Sequence, residues 1–530
     1  MPTSPAGEVV DAEELRPIPR WFRWLRRPAV IGGVLLLIGI GVRVWWGHVA
    51  ESRFQAAIAK YRAAGQPVLI EDFATEPVPD DENAALWFQR AAAAVVETKG
   101  PVELRDWPTI RQLARNHPQE LQDLLAANEV VLADFRDGCA RPRADWGVVL
   151  KSPLIDVLLP SLSGQRQLGR LASLAAAERH LAGDDAAAVA LVRDKVAHAR
   201  HVADHSPGLI AHLVRIALEG SAVRTIEWIT PELRVGGDGA EERAGVAPAA
   251  REDVEALAAT LLDEEPMRAS WRRAIYGERL MQVDTAQCLI NGNIPRLAGD
   301  AAPSPPTGRW SRIPAVLIGP AWKLDAVEAM ANCTATAEAG SAPNWPAGRA
   351  LLPPPPNATS GWTVFLSLIT QVLAPSMEDA TELQFSILAK RRMAATALAL
   401  RLYELDHGHR PASLDELVPD YLPAVPRDPF AADNRPLSYL PDATSPVLYS
   451  VSLNGEDDEG RVALRPDGEI DWHELDIPFF LNGDRPLPRP RSMSASGATQ
   501  PTSTQAVPDD EAVGEPDAEA DETDEAQPEP

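Results

Sequence analysis

The chain has 530 residues, with 50 Lys and Arg against 76 Asp and Glu, a formal net charge of −26. Affinity for nucleic acid comes largely from basic side chains on phosphates, so this acid excess excludes a nucleic-acid partner. Cys139, Cys288 and Cys333 are too scattered for a disulfide framework or a CxxC zinc site; one pair could bridge, and spacing does not choose which.

The first element is an apolar run from Ala29 to Val42, continued after Arg43 by Val44-Trp45-Trp46. Roughly 18 residues at 1.5 Å each just cross a hydrocarbon core. Arg43 can snorkel to the head groups, and Trp21, Trp24, Trp45 and Trp46 stand where interfacial aromatics belong. Arg16, Arg20, Arg23, Arg26 and Arg27 precede the span, and the positive-inside rule then puts 1–27 in the cytoplasm, 28–47 across the inner membrane and the bulk outside the cytoplasm. A cleaved signal peptide is the rival reading, because Val49-Ala50 looks like a cleavage site. His48 holds a position that wants a small residue, which favours an uncleaved single-pass signal-anchor. A buried soluble helix is the third reading.

Residues 48–350 read as a helical body outside the cytoplasm. Ser52–Ala64 continues the anchor outward until Gly65 and Pro67, and 68–82 is extended. Asp80-Asp81-Glu82-Asn83 caps a helix over 84–97, and 109–135 is helical. Over 154–230 the apolar period is helical, with breaks at Gly183-Asp184 and near Gly208. The helix, Gly-Asp turn and helix around it, with Ala175 and Ala188, are similar to one tetratricopeptide unit. No second copy follows at that period, so the body reads as an irregular bundle that is only TPR-like. Residues 234–250 read as a loop, 251–290 as one helix and 299–320 as a Pro-rich stretch. Pro353 to Pro356 forms a stiff spacer, where a domain boundary is placed. The apolar stretch 361–375 is too short for a second span and reads as a buried or amphipathic helix.

Residues 351–483 read as a long helix followed by a small antiparallel sheet, an α+β module. The helix covers 380–405, Gly408 ends it, and Ser413 with Glu416 opens a short helix. Strands are expected at Leu437–Leu440, Val447–Ser452 and Arg461–Leu464. This run, with Leu402-Tyr403, Gly408, Pro411, Leu414, Leu417, Asp428-Pro429-Phe430, Tyr439, Leu448-Tyr449-Ser450 and Asn454-Gly455, resembles the C-terminal half of the major pseudopilins of type II secretion. The likeness covers 390–460. The whole layout also resembles a family of membrane-anchored proteins of planctomycete-type bacteria, which brings no assigned activity. The pseudopilin likeness implies a calcium-binding loop, here at Asn454, Asp457 and Asp458; the alternative is an acidic hairpin turned by Asn-Gly. The anchor carries no prepilin cleavage motif, so the module is a reused domain and not a pilin subunit.

Five of the ten histidines fall between 180 and 212. His198, His201 and His205 share one helix face, with Asp194 a turn earlier, and could ligate zinc or another transition metal. No HExxH, Walker A, GxGxxG or GxSxG motif accompanies them, and a solvated or hydrogen-bonded charged face with Arg200 and Asp204 is the alternative. Residues 484–530 are acidic, Pro-rich and almost free of large apolar residues, the composition of a disordered tail. The fold expected is mainly α. The function expected is a non-catalytic envelope scaffold that binds a protein partner and needs no cofactor. A metal-dependent extracytoplasmic enzyme on the histidine face and an accessory of a secretion or pilus-like apparatus are the alternatives.

Overall fold

The computed structural model describes residues 20–96, 116–154, 157, 162–204, 207–236, 247–291, 312–354, 368–441, 445–463, 471 and 473–483. All belong to the first of two units, 1–488 and 489–530. The tail expected at 484–530 and the basic segment 1–19 lie outside the described residues. The protein is mainly helical.

Helix α1 runs unbroken from Arg20 to Ala63, 44 residues. Its apolar stretch is exposed on every side, with Leu35, Leu36 and Leu37 all more than 60% accessible. Among the described residues it is the one helix long and apolar enough to cross a membrane. From Ala50 the same helix enters the protein: Phe54, Ile58 and Tyr61 are buried with Val283, Ala326, Ala329 and Met330. Gly65, at φ +72°, ends it as expected.

Helix α2 (Ala84–Ala93) is capped by Asn83, whose Oδ1 accepts from Ala85 N at 3.0 Å. Helices α3 (Pro118–Ala127) and α4 (Glu129–Cys139) meet at buried Asn128, whose side chain donates to Leu124 O and Val96 O. Next come α5 (Leu162–Ala182), α6 (Asp185–Ala203) and α7 (Leu209–Ile229), each packed on the other two. Gly183 takes φ +96° and Asp184 accepts from Ala187 N at 3.0 Å, so the Gly-Asp turn works as its residues predict. A two-residue parallel ladder of β1 (Val235–Gly236) and β2 (Ala249–Ala250) joins the two ends of the loop expected over 234–250, of which 237–246 lie outside the described residues.

The single helix expected over 251–290 is two: α8 (Arg251–Leu262) and α9 (Glu265–Ile290). Pro266 sits in the first turn of α9, where its missing N–H costs nothing. Helix α10 (Arg312–Ala339) begins inside the stretch read as Pro-rich coil and keeps Pro320 in its interior. It packs antiparallel on α9: Trp271 Nε1 donates to Thr336 O at 3.2 Å near one end, and Leu289 meets Trp322 near the other. Gly277 lets α9 touch the entry to α7, since a Cβ there would lie 2.8 Å from Pro207 C. A short helix, α11 (Trp345–Arg349), follows.

Helix α12 (Leu368–His407) is longer than expected; of the apolar stretch 361–375, residues 361–367 lie outside the described residues. Gly408, at φ +76°, stops it. The sheet is β3-β4-β5, all antiparallel: β3 (Ser438–Leu440), β4 (Val447–Ser450) and β5 (Ile477–Phe480). The third strand is therefore Ile477–Phe480 and not Arg461–Leu464, of which 461–463 form no strand and Leu464 lies outside the described residues. Pro478 hid it, since proline reads against a strand, yet β5 is an edge strand and tolerates it. Asp428 of the Asp-Pro-Phe turn is buried and accepts from Phe430 N, Ser450 Oγ and Val451 N at 2.7–2.9 Å. That carboxylate ties the turn to β4.

The segments on either side of the Pro353–Pro356 spacer share one core. Val192, Ile226 and Leu257 from the body pack with Leu388, Leu398, Leu448 and Phe479. Phe480 N donates to Glu227 Oε1 at 2.7 Å, and Arg392 pairs with Glu264 at 2.6 Å. The three cysteines are free and buried.

Candidate functional site

Helices α4, α6, α7 and α12 and the turn between α8 and α9 surround a cleft of about 860 Å³, within the size of small-ligand sites. Its room comes from small residues on two facing helix faces, Ala133 and Ala140 on α4 and Ala190 and Ala197 on α6. Between those alanines, at helical spacing, stand charges: Arg136 and Asp137 on α4, and Arg193, Asp194 and Arg200 on α6.

The floor is a buried ion triad. Glu219 Oε1 accepts from Arg215 Nε at 3.0 Å, and Glu219 Oε2 pairs with Arg391. Arg391 also donates to the carbonyls of Leu261 (3.1 Å), Thr260 (2.8 Å) and Asp263 (2.9 Å), the last carbonyls of α8 and its exit. Arg215 Nη1 donates to Pro266 O at 3.0 Å. Burial alone would raise the Glu219 carboxyl, but Arg391 and Arg215 outweigh it and hold the acid below its ordinary range. With one acid between two guanidiniums, the floor carries an excess positive charge.

On the walls, Asp194 lies 3.7 Å from Arg136 Nε, and burial pushes its carboxyl up to about 6 against the pull of Arg136 and Arg193. Cys139 donates its thiol to Asp194 O at 3.2 Å, and burial raises its pKa, so it is no ready nucleophile. Arg193 is paired outward with Asp253. Arg200 and Asp137 line the cleft without an ion pair or hydrogen bond among the described residues, Asp137 acting on Arg90 through charge alone.

The histidines expected on one charged face do not lie at the surface. His198 and His201 are fully buried. His198 sits between Phe88 (4.6 Å) and Phe135 (5.1 Å) and donates from Nε2 to Gln165 Oε1 at 3.0 Å. Burial, with His201 and Lys195 nearby, pushes its pKa down to about 3. His201 faces Phe88, and its Nδ1 is 3.4 Å from Asp204. Asp194 turns the other way, into the cleft, and His205 lies outside the described residues. Among the described residues no three His, Cys, Asp or Glu are gathered to hold a metal ion.

Asn454, Asp457 and Asp458 do share one loop, with their oxygens taken by protein donors. Asp457 accepts from Tyr449 OH (2.9 Å) and Arg435 (3.3 Å), and Asp458 from Arg461 (3.0 Å) and Asn454 Nδ2 (3.0 Å). Asp476, just before β5, approaches the same loop, accepting from Gly460 N at 2.8 Å, and burial pushes it up to about 6.

Two buried groups escaped the reading of spacing. One is the triad, whose signal is Arg215 and Glu219 standing one turn apart inside the apolar run of α7. The other is Lys195, buried with Ser173, Ser221 (3.2 Å) and Thr225 (3.1 Å) and no carboxylate. Burial drives its ammonium well below the ordinary range, and the surrounding groups that accept from it are hydroxyls. Ser173 and Thr225 are fully buried, which keeps substrate from this amine. No family model, curated protein or solved structure matches the chain.

Proposed function

We propose that this chain is a single-pass scaffold of the inner membrane, with residues 1–27 in the cytoplasm and the helical body outside it. The arginine excess ahead of the apolar stretch of α1 and the length of that stretch support this placement. In this reading α5–α7 act as a TPR-like unit, and the pseudopilin-like α12 and sheet serve as a built-in brace for the body. The cleft receives a protein partner's segment bearing both charge signs. The observation that carries this reading is the pair of lining charges, Arg200 and Asp137, above a rigid Arg215–Glu219–Arg391 floor.

Cross-linking the full-length chain in its native membrane, followed by mass spectrometry, tests it. A stoichiometric partner is expected, with its yield reduced severalfold in Arg200→Glu and in Asp137→Lys. Equal yields from both variants and the parent overturn the cleft as the docking site.

A further inference from the structure

The first two turns of α10 carry a feature that the scaffold reading leaves unused. Residues 313–322, from Ile313 to Trp322, hold no charged side chain. Val316 and Leu317 are 64% and 58% exposed, as open as Val42 at 58% in the apolar stretch of α1. Exposure alone does not assign them a cover, since Val130 is 72% exposed; what sets this pair apart is that it stands beside the apolar stretch of α1.

Their position says what covers them. Arg43 Nε donates to Leu317 O at 3.1 Å, and Lys323 pairs with Glu51. Farther along, Phe54 and Ile58 pack with Ala326, Ala329 and Met330. The offsets at the first two contacts are 274 and 272 residues, so α1 and α10 run parallel and in step. Leu317 therefore stands level with the Arg43–Trp46 end of the span, and Ile313 about one turn deeper. Ten apolar residues make about 15 Å of helix, too short to cross a bilayer but long enough to enter one leaflet. A helix start in lipid leaves its first N–H groups without water, and Pro314 in that first turn has no N–H to leave.

We propose that Val316 and Leu317, at the start of α10, dip into the outer leaflet of the membrane that α1 crosses, as a second, non-spanning contact whose partner is the acyl-chain boundary of the lipid. The inference rests on the single-pass reading. It makes the body a unit seated on the bilayer at two adjacent helices, so that the cleft is held at a set angle to the membrane and does not swing on a tether.

Nitroxide labels read the depth of each site in full-length protein reconstituted into phosphatidylcholine–phosphatidylglycerol nanodiscs. Leu317→Cys and Val316→Cys are the test positions, Leu37→Cys marks the span, and Val130→Cys, at a site 72% exposed on α4, marks water. Cys139, Cys288 and Cys333 are buried and do not compete for label. The expected result is an oxygen-to-nickel-EDDA collision ratio at 316 and 317 severalfold above that at 130 and close to that at 37. A ratio at 317 that follows 130 while 37 stays lipid-like overturns the second contact and spares the anchor. Low collision with both relaxants at 317 means that a protein segment covers it, which also overturns the inference. A water-like ratio at 37 overturns the anchor and this inference with it.

Discussion

Helix α7 carries parts of two buried basic groups that solve the same problem differently. At Arg215 and Glu219 a carboxylate stands between two guanidiniums, and every group stays charged. At Ser221 and Thr225 the cation is Lys195, no acid among the described residues pairs with it, and burial pushes its pKa well down. Arginine holds its proton where lysine releases it. Arg215 and Arg391 share a carboxylate, buried Arg279 is held by Gln66, Thr334 and the rings of Tyr61 and Tyr276, and buried Lys195 is surrounded by hydroxyls. The difference teaches that the triad depends on a shared carboxylate, while the lysine cluster is held by hydroxyls alone among the described residues.

The sharpest way to break this comparison is Glu219→Gln, which leaves two guanidiniums buried without a carboxylate. A loss of about 3–5 kcal/mol is expected, read from urea denaturation of the detergent-solubilised chain by tryptophan fluorescence. A loss below about 1 kcal/mol would show that the triad is not closed to water.

Acid sensitivity comes next. His198 and His212 titrate at about 3 and about 4 in the fold, against an ordinary 6.5. The unfolded chain takes up their protons first as the pH falls. Their contribution is therefore complete above 6.5 and is lost on acidification through that window. Asp194 has the opposite sign: its folded value of about 6 exceeds the ordinary 3.8, so stability falls as the pH rises between those values and is level above them. His198→Leu should flatten the measured rise in stability from pH 4 to 6, and Asp194→Asn should steepen it. Urea midpoints across that range check both, and identical slopes in both variants would refute the assignment.

Smaller still is Lys195→Met, which keeps the length and needs no partner. Thr225 and Ser173 already donate to Ser221 O and Gly169 O, so the hydroxyls stay satisfied. The change should stay within about 1 kcal/mol, and a loss as large as that of Glu219→Gln would mean that the lysine is charged. Smallest is Arg200→Glu, exposed and unpaired, expected to alter stability by less than about 0.5 kcal/mol while lowering partner capture.

Much of the local architecture was legible beforehand. The Asn83 cap, the Gly183-Asp184 turn, the stops at Gly65 and Gly408 and the apolar length of α1 all depend on residues adjacent in the chain. The misses have physical causes. Pro314 and Pro320 disguised the start of α10, although the first turn and neighbouring packing accept them. Pro478 disguised β5, an edge strand. The face with Asp194, His198 and His201 read as solvated or hydrogen-bonded because it mixes charge with histidine; His198 is hydrogen-bonded to Gln165, and Phe88 and Phe135 from two other helices keep it from solvent.

Only the tertiary structure could decide the cleft, because its floor joins Arg215 and Glu219 to Arg391, 172 residues from Glu219, and its space is a gap between helices. It also decided that α12 belongs to the body's core across the proline spacer, and that α10 lies in step with α1 where the apolar stretch of α1 ends. Caps, turns and the length of an apolar run are short-range properties that neighbours in sequence determine. Which charges end up buried together, and which apolar faces remain open, follow from contacts among residues hundreds of positions apart.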